Sequence, residues 1–273
     1  MQPHSLFIIT GANRGFGRAI VTAVADAAKH KTTVILVGRN ANELENVVQS
    51  VKDNVNIDTL LVSDISLETA SEAHDTIFVK IKHLIETIQS GYPVLTRAVL
   101  VNNAGTTGDL SKKIGEYTAA EIQNYVNVNI ASYVTLVSGF VNLLKEKPFD
   151  PDQPTPFPPA LTIVNISSLL AVKAFPHWGL YATGKAARDM LLSVLAEEES
   201  SIRTLSYAPG PLDNEMQASV RATIGNEEQK QVYTDMANKG TLVKMKDSAR
   251  KLIRLVDKAD YRSGAHIDFY DKE

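Results

Sequence analysis

The chain contains no cysteine. Disulfides, thiolate nucleophiles and thiolate-held metals are excluded, and a reducing compartment is the expected setting. Charge of one sign is also missing, because 28 basic and 31 acidic residues leave a formal net charge of only −3. That balance provides no electrostatic footprint for nucleic acid or an anionic membrane, and neither is expected as a partner. At the N-terminus, Met1-Gln2-Pro3-His4 leads into a short apolar run without the basic start and long apolar core of a signal peptide, so an untargeted cytoplasmic protein is expected. The histidines, His4, His30, His74, His83, His177 and His266, show no metal-ligand spacing, and no metal is expected.

What is present is ample material for a core: 273 residues, 44% of them hydrophobic. Short β-rich apolar runs at 6–10, 33–37, 57–62, 98–102, 161–167, 202–207 and 265–269 alternate with helical spacing at 15–29, 42–53, 66–90, 118–145, 181–198 and 246–257. This alternation predicts βαβ units on a parallel sheet. Several runs are apolar on consecutive residues, as strands covered on both faces must be. The expected fold is α/β, a doubly wound, Rossmann-type parallel sheet of seven strands with helices on both faces. No internal repeat or shift in composition divides it, so residues 1–273 form one domain. Six prolines fall in 147–159 and predict a surface loop. The polar, helical pattern of 211–240 follows a strand end and is expected to fold over a substrate.

The first strand runs through Thr10-Gly11-Ala12-Asn13-Arg14-Gly15-Phe16-Gly17 directly into a helix. Gly11 permits a tight turn, Gly15 lets backbone approach a pyrophosphate, and Gly17 lets helix pack on strand, while the helix N-terminus attracts phosphate. After the second strand, Arg39 and Asn40 stand where an NAD site commonly offers an acid. A guanidinium there grips a 2′-phosphate, with Arg14 within reach, so NADP(H) is the expected cofactor. Asp64 and Ile65, past the third strand, border the adenine position.

Tyr181 and Lys185 are four apart, which places both on one helix face. An ammonium beside a phenol favours the phenolate, so the lysine is expected to lower the tyrosine into a useful range. Ser168, at a neighbouring strand end, can hydrogen-bond a substrate oxygen while Tyr181 exchanges the proton. Thr10 to Gly17, Asn102-Asn103-Ala104-Gly105, Asn129, Ser168, Tyr181 and Lys185 together resemble the signature of short-chain dehydrogenases/reductases, in order and along essentially the whole chain. The resemblance implies that Asn102 to Gly105, Asn103 among them, steady the sheet beside the cofactor. It also implies that Asn129 holds a water in a proton relay behind Lys185. Ser168 is preferred to Ser167 because the family's serine usually lies thirteen before the tyrosine; Ser167 is expected to help bind substrate.

Three further stretches resemble the sepiapterin reductases within that family: 184–190 (GKAARDM), 207–213 (YAPGPLD) and 263–271 (SGAHIDFYD). By this resemblance Asp268 anchors the amino-pyrimidinone edge of a pterin, Gly210 contacts substrate and cofactor, and Leu212, Asp213, Met216 and Gln217 lie along the nicotinamide and pyrophosphate. A carboxylate suits such an edge because it accepts two parallel hydrogen bonds. Trp178 either stacks on the pterin or packs in the core. The implied reaction is NADPH-dependent reduction of the side-chain ketone of sepiapterin or 6-pyruvoyl-tetrahydropterin in tetrahydrobiopterin formation. A broader carbonyl or dicarbonyl reductase, or a non-catalytic NADP(H) sensor, are the alternatives. The resemblance further implies a homodimer or homotetramer, assembled through the helices at 118–145 and 181–198.

Overall fold

The computed structural model describes residues 3–91, 95–146 and 161–272. The proline-rich stretch expected to be a loop at 147–159 lies outside the described residues. Seven strands, β1 (Ser5–Thr10), β2 (Thr32–Val37), β3 (Ile57–Val62), β4 (Arg97–Asn102), β5 (Leu161–Ile166), β6 (Ile202–Ala208) and β7 (Ala265–Asp268), form one parallel sheet in the order β3-β2-β1-β4-β5-β6-β7. The helices are α1 (Gly15–Ala27), α2 (Ala41–Val51), α3 (Ala70–Ala73), α4 (Val79–Gly91), α5 (Ala119–Val126), α6 (Ser132–Glu146), α7 (Gly179–Glu198), α8 (Glu215–Thr223), α9 (Glu227–Asn238) and α10 (Met245–Lys258). The expected fold class is the observed one.

Strand periodicity shows how a single sheet feeds two cores. Phe7, Ile9, Val34 and Leu36 point to one face and pack with residues of α1, α2 and α10, while Leu6, Ile8, Ile35 and Val37 point to the other and pack with α4, α6 and α7. Alternate residues of a strand face opposite ways, so apolar side chains at consecutive positions require cover on both sides. Each fully buried Ile or Leu contributes about 1.5–3 kcal/mol.

Two expected helices are modified. The one predicted over 66–90 begins at Ala70, because Thr69 Oγ1 accepts from Glu72 N at 3.1 Å and thereby sets the first turn. The one predicted over 118–145 is capped by Thr118 and Glu121 and is interrupted by a π-helical turn at Asn127–Ala131. A second π turn at His74–Phe78 joins α3 to α4. Such turns insert one residue into the helix and redirect the side chains around it. The stretch Ala119–Leu143 is long and apolar enough to cross a membrane by length and composition. Here its apolar side, with Tyr133, Leu136, Val137 and Phe140, is buried against the sheet.

Candidate active site

Because every strand points the same way, all seven C-terminal ends share one edge, and between β1 and β4 the winding of the sheet reverses. A crevice at such a reversal is where open α/β sheets hold ligands. The residues singled out in the sequence converge there. The glycine loop follows β1, Arg39 follows β2, Asp64 follows β3, Asn103 follows β4, Ser167 and Ser168 follow β5, Gly210 follows β6, and Asp268 ends β7.

In the glycine loop a Cβ on Gly17 would lie 2.1 Å from the Gly11 carbonyl oxygen, whereas one on Gly15 (φ +54°) would meet nothing within 4 Å. The first contact packs helix on turn; the second leaves the backbone open to the crevice. The N-cap of α1, Arg14, makes no side-chain capping bond and the first turn carries no acid, so backbone donors remain to receive an anion. Asn103 Nδ2 donates to Thr10 O at 3.0 Å and Gly11 O at 3.3 Å, which fixes the loop to the end of β4. Phe16 is buried behind the loop. These features fit the pyrophosphate of a dinucleotide.

Around the adenine side the expectations are refined. Arg39 is exposed and has no hydrogen-bond partner among the described residues. Asn40 caps α2, its Oδ1 accepting from Glu43 N at 3.1 Å, and Asn13 Nδ2 donates to Glu43 Oε2 at 2.5 Å. Arg14, expected to reach the 2′-phosphate, lies 3.1 Å from Glu215 at the start of α8, where loop and helix face each other across the crevice. Asp64 is exposed in a left-handed conformation (φ +55°), and the Ile65 side chain is buried.

The segment at 211–240 does fold over the crevice. Leu212 bridges to Val243, and Asp213 N donates to Val243 O at 2.9 Å. Beyond them Val220, Ile224 and Tyr233 pack with Leu110, Leu170, Trp178 and Tyr181 in a third apolar cluster. Gln217 is buried beneath it, and Met216 is half exposed. Trp178 is 4% exposed, tilted 5.3 Å from Tyr181 and edge-on to Tyr233. Its faces are occupied, so of the two expectations for it, core packing is the one realised.

Ser168, Tyr181 and Lys185 come together beneath this cover. Ser168 Oγ accepts from Leu170 N at 3.2 Å and is near enough to the Tyr181 hydroxyl to draw its titration downward. Lys185 Nζ donates to Ile166 O at 2.6 Å and lies 5.4 Å from the centre of the Tyr181 ring. Burial pushes the tyrosine up to about 12, against the opposing pull of Ser168 and of the Arg188 charge. Burial and Arg188 push Lys185 down to about 7, with Asp189 opposing. The sequence predicts a tyrosine lowered by its lysine; the structure corrects this, because desolvation dominates both groups. Asn129, in the π turn, is buried, with Oδ1 accepting from Thr106 N at 2.9 Å and Nδ2 donating to Tyr125 O at 3.1 Å.

This arrangement accompanies a match to the short chain dehydrogenase family over residues 5–225. The chain belongs to the short-chain dehydrogenase/reductase family. It is 38% identical over 268 residues to the sepiapterin reductase of Meriones unguiculatus, which covers 97% of this chain and 95% of that one. It is 29% identical over 222 residues to the (S)-benzoin-forming benzil reductase of Bacillus cereus, 79% of each chain being covered. A solved short chain dehydrogenase of Shigella flexneri, complexed with NADP, superposes with a TM-score of 0.70 at 24% identity, covering 97% of this chain and 96% of that one. As a member of this family the protein is a nicotinamide-dependent oxidoreductase.

Two residues of this short-chain dehydrogenase went unassigned in the sequence. Asp189 accepts from Asn165 Nδ2 (2.8 Å) and Ser167 Oγ (2.8 Å) and is bonded to His266 Nδ1 (2.7 Å), joining β5, α7 and β7. The hydrogen bond to Asp189 raises His266 above its ordinary range. Arg188 is buried beside it. The signal was available: 181, 185, 188 and 189 follow helical spacing, and a polar stripe on a helix facing a sheet must have partners there.

Asp268 is only partly exposed. One carboxylate oxygen accepts from Tyr270 N at 2.9 Å, and the other has no partner among the described residues. Register places Asp268 opposite Ala208, one step beyond the Tyr207–Ile166 pair, and hence level with Ser167 two strands away. Two strand spacings amount to about 10 Å. The tail then passes Gly210 (φ +76°), where a Cβ would lie 3.6 Å from Phe269 and Tyr270 atoms.

Proposed function

We propose that the protein reduces the side-chain ketone of a pterin, sepiapterin or 6-pyruvoyl-tetrahydropterin, with NADPH, in the last step of tetrahydrobiopterin formation. The observation that carries this reading is the placement of Ser168, Tyr181 and Lys185, with Lys185 Nζ 5.4 Å from the centre of the Tyr181 ring, on the sheet edge that also presents Asp268. Reduction needs a proton donor, and a tyrosine pushed up to about 12 is in the donor form throughout the neutral range. The nicotinamide, when bound, supplies the hydride. Tyr181 gives its proton to the carbonyl oxygen, Ser168 hydrogen-bonds the same oxygen as charge builds on it, and Lys185, fixed by Ile166 O, sits beneath the ring. Asn129 holds the relay water behind them. Arg39, unpaired and exposed beside the crevice, supports a 2′-phosphate and thus NADP(H). The free oxygen of Asp268 is level with Ser167, at a separation suited to a flat bicyclic substrate lying between them. The sepiapterin reductase of Meriones unguiculatus, alike over nearly the full length, supports the same substrate class.

The test is NADPH oxidation over a panel of pterins and simple diketones, repeated with Asp268→Asn. The variant is expected to raise the Michaelis constant for sepiapterin roughly tenfold more than that for a diketone, because a carboxylate facing two donors is replaced by a group that repels one of them. Equal changes for the two substrates would remove the anchor assignment. A diketone reductase is the second reading, favoured by the likeness to the benzil reductase, and wild-type turnover of diketones without pterins would select it.

The same proposal includes a cytoplasmic homodimer or homotetramer. Val134 on α6 and Met190 and Val194 on α7 are exposed apolar residues on the two helices expected to pair. Light scattering should give a mass of about two or four times 29.8 kDa, and a monomer at micromolar concentration would refute the assembly.

A further inference from the structure

Arg188 lies one turn beyond Lys185 on α7 and is only 4% exposed. Its Nη2 donates to Ala104 O at 3.1 Å, and its guanidinium stacks 4.3 Å from the centre of the Tyr133 ring. Nε and Nη1 have no hydrogen-bond partner among the described residues. The adjacent carboxylate, Asp189, is engaged by Asn165, Ser167 and His266. A guanidinium keeps its charge when buried, where a lysine would lose its proton. The fold therefore maintains an uncompensated cation at considerable cost, two helical turns along the same face from Tyr181, the group that must carry negative charge once its proton has left.

The titratable groups facing Arg188 are Tyr125 from α5, Tyr133 from α6, and Tyr181, Lys185 and Asp189 from α7 itself. From α9, Tyr233 faces Tyr181. The neutral wall is completed at Gly105, where a Cβ would meet Asn129 Oδ1 at 2.8 Å and Arg188 Nη1 at 3.5 Å. We infer that Arg188 is a positioning residue for proton transfer, whose fixed buried charge sets the pH at which the Tyr181–Lys185 pair gives up a proton. The inference rests on Tyr181 as the proton donor.

The electrostatics agree in sign. The Arg188 charge draws Tyr181 downward and also repels the Lys185 ammonium, lowering both. Without it both groups hold their protons to higher pH. Reduction, which needs the protonated pair, then fails at a higher pH than in the parent enzyme. Alcohol oxidation, which needs the phenolate, begins at a higher pH by the same amount. A unit charge at several ångströms under an effective dielectric constant near 20 moves such a limb by about one to two pH units. The limb belongs to the coupled pair and not to either residue alone.

The experiment measures kcat/KM for a diketone without titrating groups, at saturating NADPH, across roughly pH 6 to 11. It is run on the full-length parent, Arg188→Met, Arg188→Gln, Arg188→Lys and Tyr181→Phe. The neutral variants should move the basic limb up by about one unit or more, and Arg188→Lys, whose amine loses its proton at this buried position, should move it upward as they do. A purely structural role would lower rates without moving the limb. A folded neutral variant with the parent limb overturns the inference while leaving Tyr181 as donor, provided Tyr181→Phe is inactive. Full activity in Tyr181→Phe overturns the donor reading and this inference together. Should neither neutral variant fold, Arg188→Lys decides alone, and a limb left at the parent position in it overturns the inference.

Discussion

Tyr181→Phe should lose at least about a thousandfold in kcat for ketone reduction while binding NADPH within roughly threefold of the parent. The substitution removes one oxygen and leaves the ring, which packs against Trp178 in the third apolar cluster, so the cover over the crevice is preserved. What disappears is the hydroxyl proposed to give its proton to the reacting oxygen. Ser168 cannot replace it, because a serine hydroxyl is far too weak an acid and its oxygen is already engaged by Leu170 N. The measurement is steady-state NADPH oxidation beside a fluorescence titration of NADPH binding. Retained turnover with intact binding would remove Tyr181 from the chemistry.

Gly17→Ala should reduce NADPH affinity by about a hundredfold or more and lower the melting temperature by about 5 °C, as expected of overpacking by about 1–3 kcal/mol in a domain this size. The cause is local. A Cβ there would be 2.1 Å from the Gly11 carbonyl oxygen and 2.8 Å from Asn103 Nδ2, so either α1 or the turn must move, and the donors at the start of α1 move with them. Gly15→Ala provides the contrast. Its Cβ meets nothing, so only the left-handed backbone (φ +54°) resists, at about 1 kcal/mol. That variant should stay close to the parent in melting temperature yet weaken NADPH, because the new methyl stands where backbone is open to phosphate. Equal effects of the two substitutions on stability and binding would show that the loop does not discriminate packing from approach.

Much of this was legible in the sequence, for identifiable reasons. Consecutive apolar residues in six-residue strands announced a sheet covered on both faces, and the glycine run between a strand and a helix announced the crevice. The helical spacing of Tyr181 and Lys185 was enough to place them together. The π turn at Asn127–Ala131 was not legible, because one inserted residue hardly disturbs a periodic pattern over a long helix. The direction of the Tyr181 shift was misread for a different reason. An adjacent lysine is visible in sequence, whereas desolvation by Trp178 and the α8–α9 cover depends on packing. The ion pair of Arg14 with Glu215 was not legible, because the two lie far apart in the chain and meet only across the folded crevice. Asp189 drew no role from the sequence, because its partners Asn165, Ser167 and His266 come from β5 and β7 and meet it only in the fold.

The convergence of strand ends on one edge has a temporal side. Residues proposed for the adenine side and the glycine loop, from Gly11 through Arg39 and Asp64 to Asn103, precede those proposed for the ketone and the nicotinamide, from Ser168 through Tyr181, Gly210 and Gln217 to Asp268. During synthesis the adenine side of the crevice is therefore made first, and the wall meeting the substrate is added last, when β7 docks on β6. Pairing of β1 with β4 spans over ninety residues, so the earlier half must itself wait on distant contacts and folds slowly for its size. No fragment shorter than the stretch from β1 to β7 contains a whole site, which makes the enzyme a poor candidate for division into separately expressed halves.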